Sequence, residues 1–228
     1  NVAGCFRSIA VQLAREGRRF MYSRVEPTEP SSTMDEVGDP DGDGPEPCAG
    51  SRDYSYALNW LQEAGISVPC FNVSQPAMPL EEYTKEGMFK LYMMDTGLLL
   101  SRYSQGVRAG VFNGDMDVNR GSMTENLVAQ MLTAQGYVLR YFHREVGSDG
   151  GRDRIEIDFL VSGNRGIAAI EVKSGSNRNC RSLNKCIAIY DVDGIMFETR
   201  DIFVDDKGVV HYPLFAAAFM DCIDPPIP

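Results

Sequence analysis

Histidine is scarce in this chain, at two residues, and tryptophan scarcer still, at one. His143 and His211 stand far apart, and none of the six cysteines forms a C-x-x-C pair. The close paired spacings that a structural zinc site needs are therefore missing. Cys5, Cys48, Cys70, Cys180, Cys186 and Cys222 read instead as a reduced thiol set in a cytoplasmic protein. The two histidines suit packing or surface roles better than catalysis. Long hydrophobic runs are also absent. Stretches such as Ile167-Ala168-Ala169-Ile170 and Ala216-Ala217-Ala218-Phe219-Met220 fall far below the roughly 18 to 20 residues that span a bilayer, so no membrane helix is predicted. No G-x-x-x-x-G-K-[ST] loop occurs, which excludes P-loop nucleotide binding by these residues. The chain opens Asn1-Val2-Ala3-Gly4 with neither an initiator methionine nor a charged-then-apolar leader. It reads as a piece of a longer protein with sequence upstream, not as a secreted precursor.

What is present is enough to build a core: 228 residues, 43% of them hydrophobic, support one large domain or two smaller ones. The net charge of −10 is unfavourable to nucleic acid as a total, but it is unevenly placed. Residues 1–25 carry five Arg against one Glu, or +4; residues 26–50 carry eight acids and no base, or −8; residues 120–185 carry ten bases against seven acids, or +3. The acidic stretch holds five prolines, four glycines and no aromatic residue. Such a composition cannot bury enough apolar surface to offset its ordering entropy, so 26–50 is expected to be a flexible loop. Within it, Asp39-Pro40-Asp41-Gly42-Asp43-Gly44 imitates the start of a calcium loop, yet Gly50 stands at the twelfth position, where a bidentate Glu is required.

Ile9 and Leu13, with Phe20 beyond a break at Gly17, predict a short helix with Arg15, Arg18 and Arg19 at its exposed end. Tyr54, Ala57, Leu58, Trp60 and Leu61 give a second helical stripe that stops at Gly65. Ile66 to Val73 then reads as a strand that Pro69 confines to an edge or a bulge. Two helices and an edge strand suggest a winged-helix-like module over 1–80, a fold that serves equally as a DNA or partner surface and as plain support. The run Met88 to Leu100 predicts a buried strand turning at Asp95 to Gly97 into a short helix, with Asp95 as its cap.

The chemistry-bearing residues lie in the second half. A helix opens at Gly121-Ser122-Met123-Thr124-Glu125, carries the stripe Met123, Leu127, Val128, Met131 and Leu132, and stops at Gly136. Ser122 and Glu125 also have capping-box spacing. In Arg154-Ile155-Glu156-Ile157-Asp158-Phe159-Leu160-Val161, alternation puts Ile155, Ile157, Phe159 and Val161 on one face and Glu156 with Asp158 on the other. A tight turn returns the chain antiparallel into Ile167 to Lys173, where Glu171 and Lys173 share a face. An Asp and a Glu on adjacent strands suit a magnesium or manganese ion, and a lysine two residues on suits an attacking water or developing phosphorane charge. Gly147 to Arg154 is expected to be a charged loop; a solvated loop is the preferred reading, and contact of Arg152 and Arg154 with a DNA backbone is the functional one.

Asp158, then Glu171-Val172-Lys173-Ser174-Gly175, with Glu125 on a preceding helix, resembles the PD-(D/E)XK restriction-endonuclease-like superfamily. With Phe89-Lys90-Leu91-Tyr92, Asp95-Thr96-Gly97-Leu98-Leu99, Glu125-Asn126-Leu127-Val128, Tyr56 to Leu61 and Tyr212-Pro213-Leu214, the chain more narrowly resembles the domain of unknown function that follows an AAA+ ATPase module in many prokaryotic proteins. The resemblance implies an α/β protein: a restriction-endonuclease-like mixed sheet with flanking helices over 81–228, after the winged-helix-like module. It implies Glu125, Asp158, Glu171 and Lys173 as the catalytic set, with Asp158 and Glu171 on the metal, Glu125 positioning water and Glu156 as an accessory acid. The expected partners are DNA and the upstream ATPase module, with no membrane. The competing expectations are a non-catalytic DNA- or protein-binding scaffold and a regulatory, antitoxin-like partner.

Overall fold

A computed structural model of the chain describes residues 1–15, 17–25, 51–114, 120–148, 151–175, 180–198 and 201–223. The acidic segment and its calcium-loop-like run lie outside these residues. Helices α1 (Val2–Leu13) and α2 (Ser51–Glu63) are followed by strands β1 (Ser67–Val73) and β2 (Thr84–Met93), then helices α3 (Thr96–Ser101), α4 (Gln105–Phe112) and α5 (Arg120–Ala134). Strands β3 (Arg140–Ser148), β4 (Gly151–Gly163) and β5 (Gly166–Val172) lead to α6 (Arg181–Tyr190), β6 (Asp193–Glu198), β7 (Phe203–Val204), β8 (Val210–Pro213) and a short α7 (Met220–Ile223). Among the described residues no helix is long and apolar enough to cross a membrane.

Among the described residues, eight strands form one mixed sheet in the order β2-β1-β3-β4-β5-β6-β8-β7. β1/β3, β5/β6 and β6/β8 pair in parallel, and the other neighbours pair antiparallel. The fold is therefore mixed α/β, as the sequence implies. Buried side chains form two clusters. One joins Ile9 and Leu13 of α1 and Leu58 and Leu61 of α2 to Val128 and Leu132 of α5 and to Leu91, Phe159, Ile170 and Phe197 of the sheet. The other joins Leu183 and Cys186 of α6 to Phe142, Ile155, Ile157, Leu160 and Met196. Each such aliphatic or aromatic side chain stabilises the fold by about 1.5–3 kcal/mol on burial. The boundary expected at residue 80 falls between two paired strands, and α1 and α2 share their core with the sheet beyond it.

Three local expectations change. Trp60 leaves the α2 stripe and stands 46% exposed, because a helix that buries Tyr54, Leu58 and Leu61 turns position 60 outward. Ile155 and Ile157 do not share a face with Phe159 and Val161: they belong to different clusters. The cause is a β-bulge, since Arg140 pairs Leu160 while Phe142 pairs Ile157, so Tyr141 alone opposes both Asp158 and Phe159. The charged loop expected over 147–154 is instead largely β-hairpin, with pairing from Ser148↔Gly151 through Glu145↔Arg154, because ladder hydrogen bonds come from the backbone and tolerate polar side chains. Pro69 sits in β1 where that strand pairs only with β2, and β3 joins at Phe71 to Val73, beside a register break at Phe71/Asn72.

Candidate active site

The sheet divides at the bulge. β4 pairs with β5 only from Phe159↔Ile170 to Gly163↔Gly166, while its first half stays with β3 and β5 continues along β6 to Val172↔Phe197. Asp158 stands at the crotch of this fork, its Oδ2 accepting the Val172 N–H at 2.9 Å. Lys173 follows β5 directly, tied by its N–H to the Phe197 carbonyl at 2.8 Å. Asp158, Glu156, Glu171 and Lys173 thus converge on one cavity of about 580 Å³, as expected, together with Arg154. The opposite walls come from Arg15 and Arg18 after α1, Gly121 and Ser122 at the start of α5, and Arg181 and Ser182 at the start of α6.

Glu171 is 6% exposed, and burial pushes its carboxyl up to about 6. Lys173 opposes that rise by hydrogen bond and charge, and Asp158 and Glu156 add to it. Burial works to lower the Lys173 pKa, yet Glu171 and Asp158 more than offset it and hold the ammonium above its ordinary value. Glu171 Oε2 is buried without a hydrogen-bond partner among the described residues. Two hard carboxylates, one with a spare oxygen, fit a magnesium or manganese ion, which takes one or two protein carboxylates and completes its shell with water. Among the described residues no three His, Cys, Asp or Glu side chains are arranged as a metal cluster, so the fit rests on Asp158 and Glu171.

Glu125 sits behind the cavity wall. It is 1% exposed, and Lys90 Nζ reaches its Oε1 at 2.9 Å while the Tyr92 hydroxyl donates to the same oxygen and Arg18 ion-pairs with the carboxylate. The capping box does not form: α5 begins at Arg120, which leaves Ser122 inside the first turn and sends Glu125 toward β2. α5 is held there by its own side chains. Asn126 brackets the Met93 backbone, accepting its N–H at 2.8 Å and donating to its carbonyl at 3.1 Å. Gln130 Oε1 accepts the Thr96 N–H at 2.9 Å. Asp95 caps α3 as expected, accepting the Leu98 N–H at 2.6 Å.

Lys90, Tyr92 and Arg18 have no assigned role in the sequence pattern, although a single lysine inside Met88-Phe89-Lys90-Leu91-Tyr92 is itself a signal. Burial lowers the Lys90 pKa, and Asp158, whose Oδ1 lies 3.8 Å away, partly offsets it. Lys90 thus joins Glu125 to the fork. Gly17 and Arg18 both take positive φ, 75° and 46°, which turns the chain after α1 so that the Arg18 guanidinium passes over Gly121. A Cβ at Gly121 would stand 2.9 Å from that guanidinium. Arg154 ion-pairs with Glu156, and the Arg152 side chain lies outside the described residues. His211 does not stand alone: its Nδ1 lies 2.7 Å from Glu198 Oε1, its Nε2 3.6 Å from Asp205 Oδ2, and Phe203 stacks on it.

Residues 120–214 match DUF4143, a domain of unknown function. The DUF4143 match takes in Glu125, Glu156, Asp158, Glu171 and Lys173, whereas Arg18, Lys90 and Tyr92 precede it. No curated protein matches the chain. Among solved structures, the crystal structure of protein VC1899 from Vibrio cholerae is similar at 16% identity and a TM-score of 0.31, over 76% of this chain. The chain spans 42% of the length of that protein.

Proposed function

We propose that this chain is the C-terminal part of an AAA+ ATPase-family protein, and that its fork is a magnesium-dependent site for binding and hydrolysing DNA phosphodiesters. The observation that carries this reading is the meeting of Asp158, Glu171 and Lys173 at the β4–β5 fork, in a cavity ringed by Arg15, Arg18, Arg154 and Arg181. The DUF4143 match supports the ATPase-partner half of it. Asp158 and Glu171 would hold a magnesium ion, which polarises a phosphoryl oxygen and acidifies water. Lys173, kept cationic by its two acidic neighbours, places positive charge beside the developing phosphorane. The rim arginines seat the flanking phosphates. Glu125 acts one step back, fixing Lys90 and through it Asp158.

Incubation of single-stranded, duplex and branched DNA with Mg²⁺ or Mn²⁺, beside Asp158→Asn, tests the proposal. Cleavage that disappears in the variant supports it, and no cleavage of any substrate by the wild type overturns it. A non-catalytic scaffold is the second reading. It is favoured by the engagement of Asp158 with the Val172 N–H and of Glu171 with Lys173, contacts that would serve a static binding surface. That reading expects equal DNA or protein binding by Asp158→Asn and by wild type, without turnover.

A further inference from the structure

A second cavity, of about 270 Å³, opens on the other side of α1. Arg7 and Arg15 from α1 and the turn after it, Arg24, and Arg102 at the end of α3 line it together, and no acidic side chain does so among the described residues. Within those residues, none of the four arginines is ion-paired with a carboxylate. Arg102 is fixed by its guanidinium lying 5.4 Å over the Phe6 ring. Tyr103 also lines the cavity, with its hydroxyl buried out of reach of solvent. Four convergent cations with no counter-charge among the described residues describe a place for an anion. At about 30 Å³ per water, the volume holds a phosphate with its hydration, not a peptide helix. Arg15 lines this cavity and the fork cavity alike. An anion bound here that also reaches the fork must therefore carry repeated charge.

We propose that the four-arginine cavity is a phosphate-backbone site, which seats a single nucleic-acid strand as it runs past Arg15 toward the fork. The strand as ligand rests on the phosphodiester function proposed for the fork, while the anion site stands on its own residues. The test is fluorescence anisotropy of a labelled single-stranded oligonucleotide in EDTA, at a series of salt concentrations, with wild type and the Arg7→Ala/Arg24→Ala variant. Both arginines are exposed, and circular dichroism checks that the variant folds. Each lost phosphate contact removes about 0.7 from the slope of log K against log salt, so the double variant should lose about 1.4. Arg165→Ala should keep the wild-type slope, because Arg165 lies in the β4–β5 turn, five or more residues from the fork and so roughly 17 Å along the strand. An unchanged slope in the double variant overturns the proposal. So does failure of the wild type to bind the oligonucleotide, and binding of polyglutamate in its place would assign the cavity to an acidic protein. A slope that falls as expected, in a protein that cuts no DNA with Mg²⁺, would sink the nuclease proposal and leave this one standing.

Discussion

Replacing Lys90 by Met is the sharpest test of how the site is held. Met keeps most of the volume of the side chain, so the change removes a charge with little loss of packing. Lys90 is 1% exposed and lies between Glu125 and Asp158 at 2.9 and 3.8 Å. Removing one partner of a buried pair costs about 3–5 kcal/mol, because the other charge remains buried. Glu125 keeps Arg18 and Tyr92, and Asp158 keeps the Val172 N–H, which puts the expected loss at the low end, about 3 kcal/mol. With a urea m-value of ~2–3 kcal/mol/M, the unfolding midpoint followed by circular dichroism should fall by about 1–1.5 M. Adding Glu125→Gln to Lys90→Met should recover part of the loss, giving a coupling of about 1–2 kcal/mol in the double-mutant cycle. A single-variant loss under about 1 kcal/mol, or strict additivity of the two changes, would refute the idea of one charged network behind the fork.

Glu171 gives a pH signature. Its folded pKa of about 6 stands above the ordinary 4.5, so the native chain binds the proton more tightly than the unfolded chain between those values. Stability should therefore fall as pH rises through the window, by about 2 kcal/mol at 1.36 kcal/mol per unit. The difference between wild type and Glu171→Gln in denaturant melts isolates that slope, and parallel curves would contradict it. Magnesium at ten times its dissociation constant should stabilise the wild type by about 1.4 kcal/mol, or roughly 3–6 °C in melting temperature, and should leave Asp158→Asn unshifted. Thiol labelling followed by mass spectrometry should modify exposed Cys222 before buried Cys70 and Cys186, whose thiols burial pushes up to about 12. Early labelling of Cys70 would mean that the first core cluster opens locally.

Periodicity made much of this fold legible. The strands around Leu91, Asp158 and Glu171, the helix opening at Gly121 and stopping at Gly136 and the Asp95 cap were all readable, because each is decided by local burial or by local hydrogen bonding. The convergence of Glu156, Asp158, Glu171 and Lys173 was readable too, since a tight turn between β4 and β5 leaves little freedom in register. The bulge was not. A β-bulge adds one residue to one strand, and the alternation Ile155, Ile157, Phe159, Val161 looks unbroken when nothing in the sequence says which residue the partner skips.

That hidden residue decides the chemistry of the site. Without the bulge, β4 would continue to pair with β5 past Phe159, and the cross-strand ladder would take up the backbone beside Asp158 and Glu171. With it, Phe159 turns to the α5 side while Ile157 stays on the α6 side, and β4 leaves β5 at Asp158. The Val172 N–H, freed from the ladder, goes to the Asp158 carboxylate instead of a backbone carbonyl. The same geometry explains the buried lysine. A cavity-lining Asp158 with the buried Glu125 behind it needs cations from elsewhere in the chain, and Lys90 and Arg18 come from β2 and from the turn after α1, 68 and 140 positions before Asp158. No spacing rule within the DUF4143 match could have pointed to them. A lysine inside the apolar run Met88 to Met93 was their one local trace.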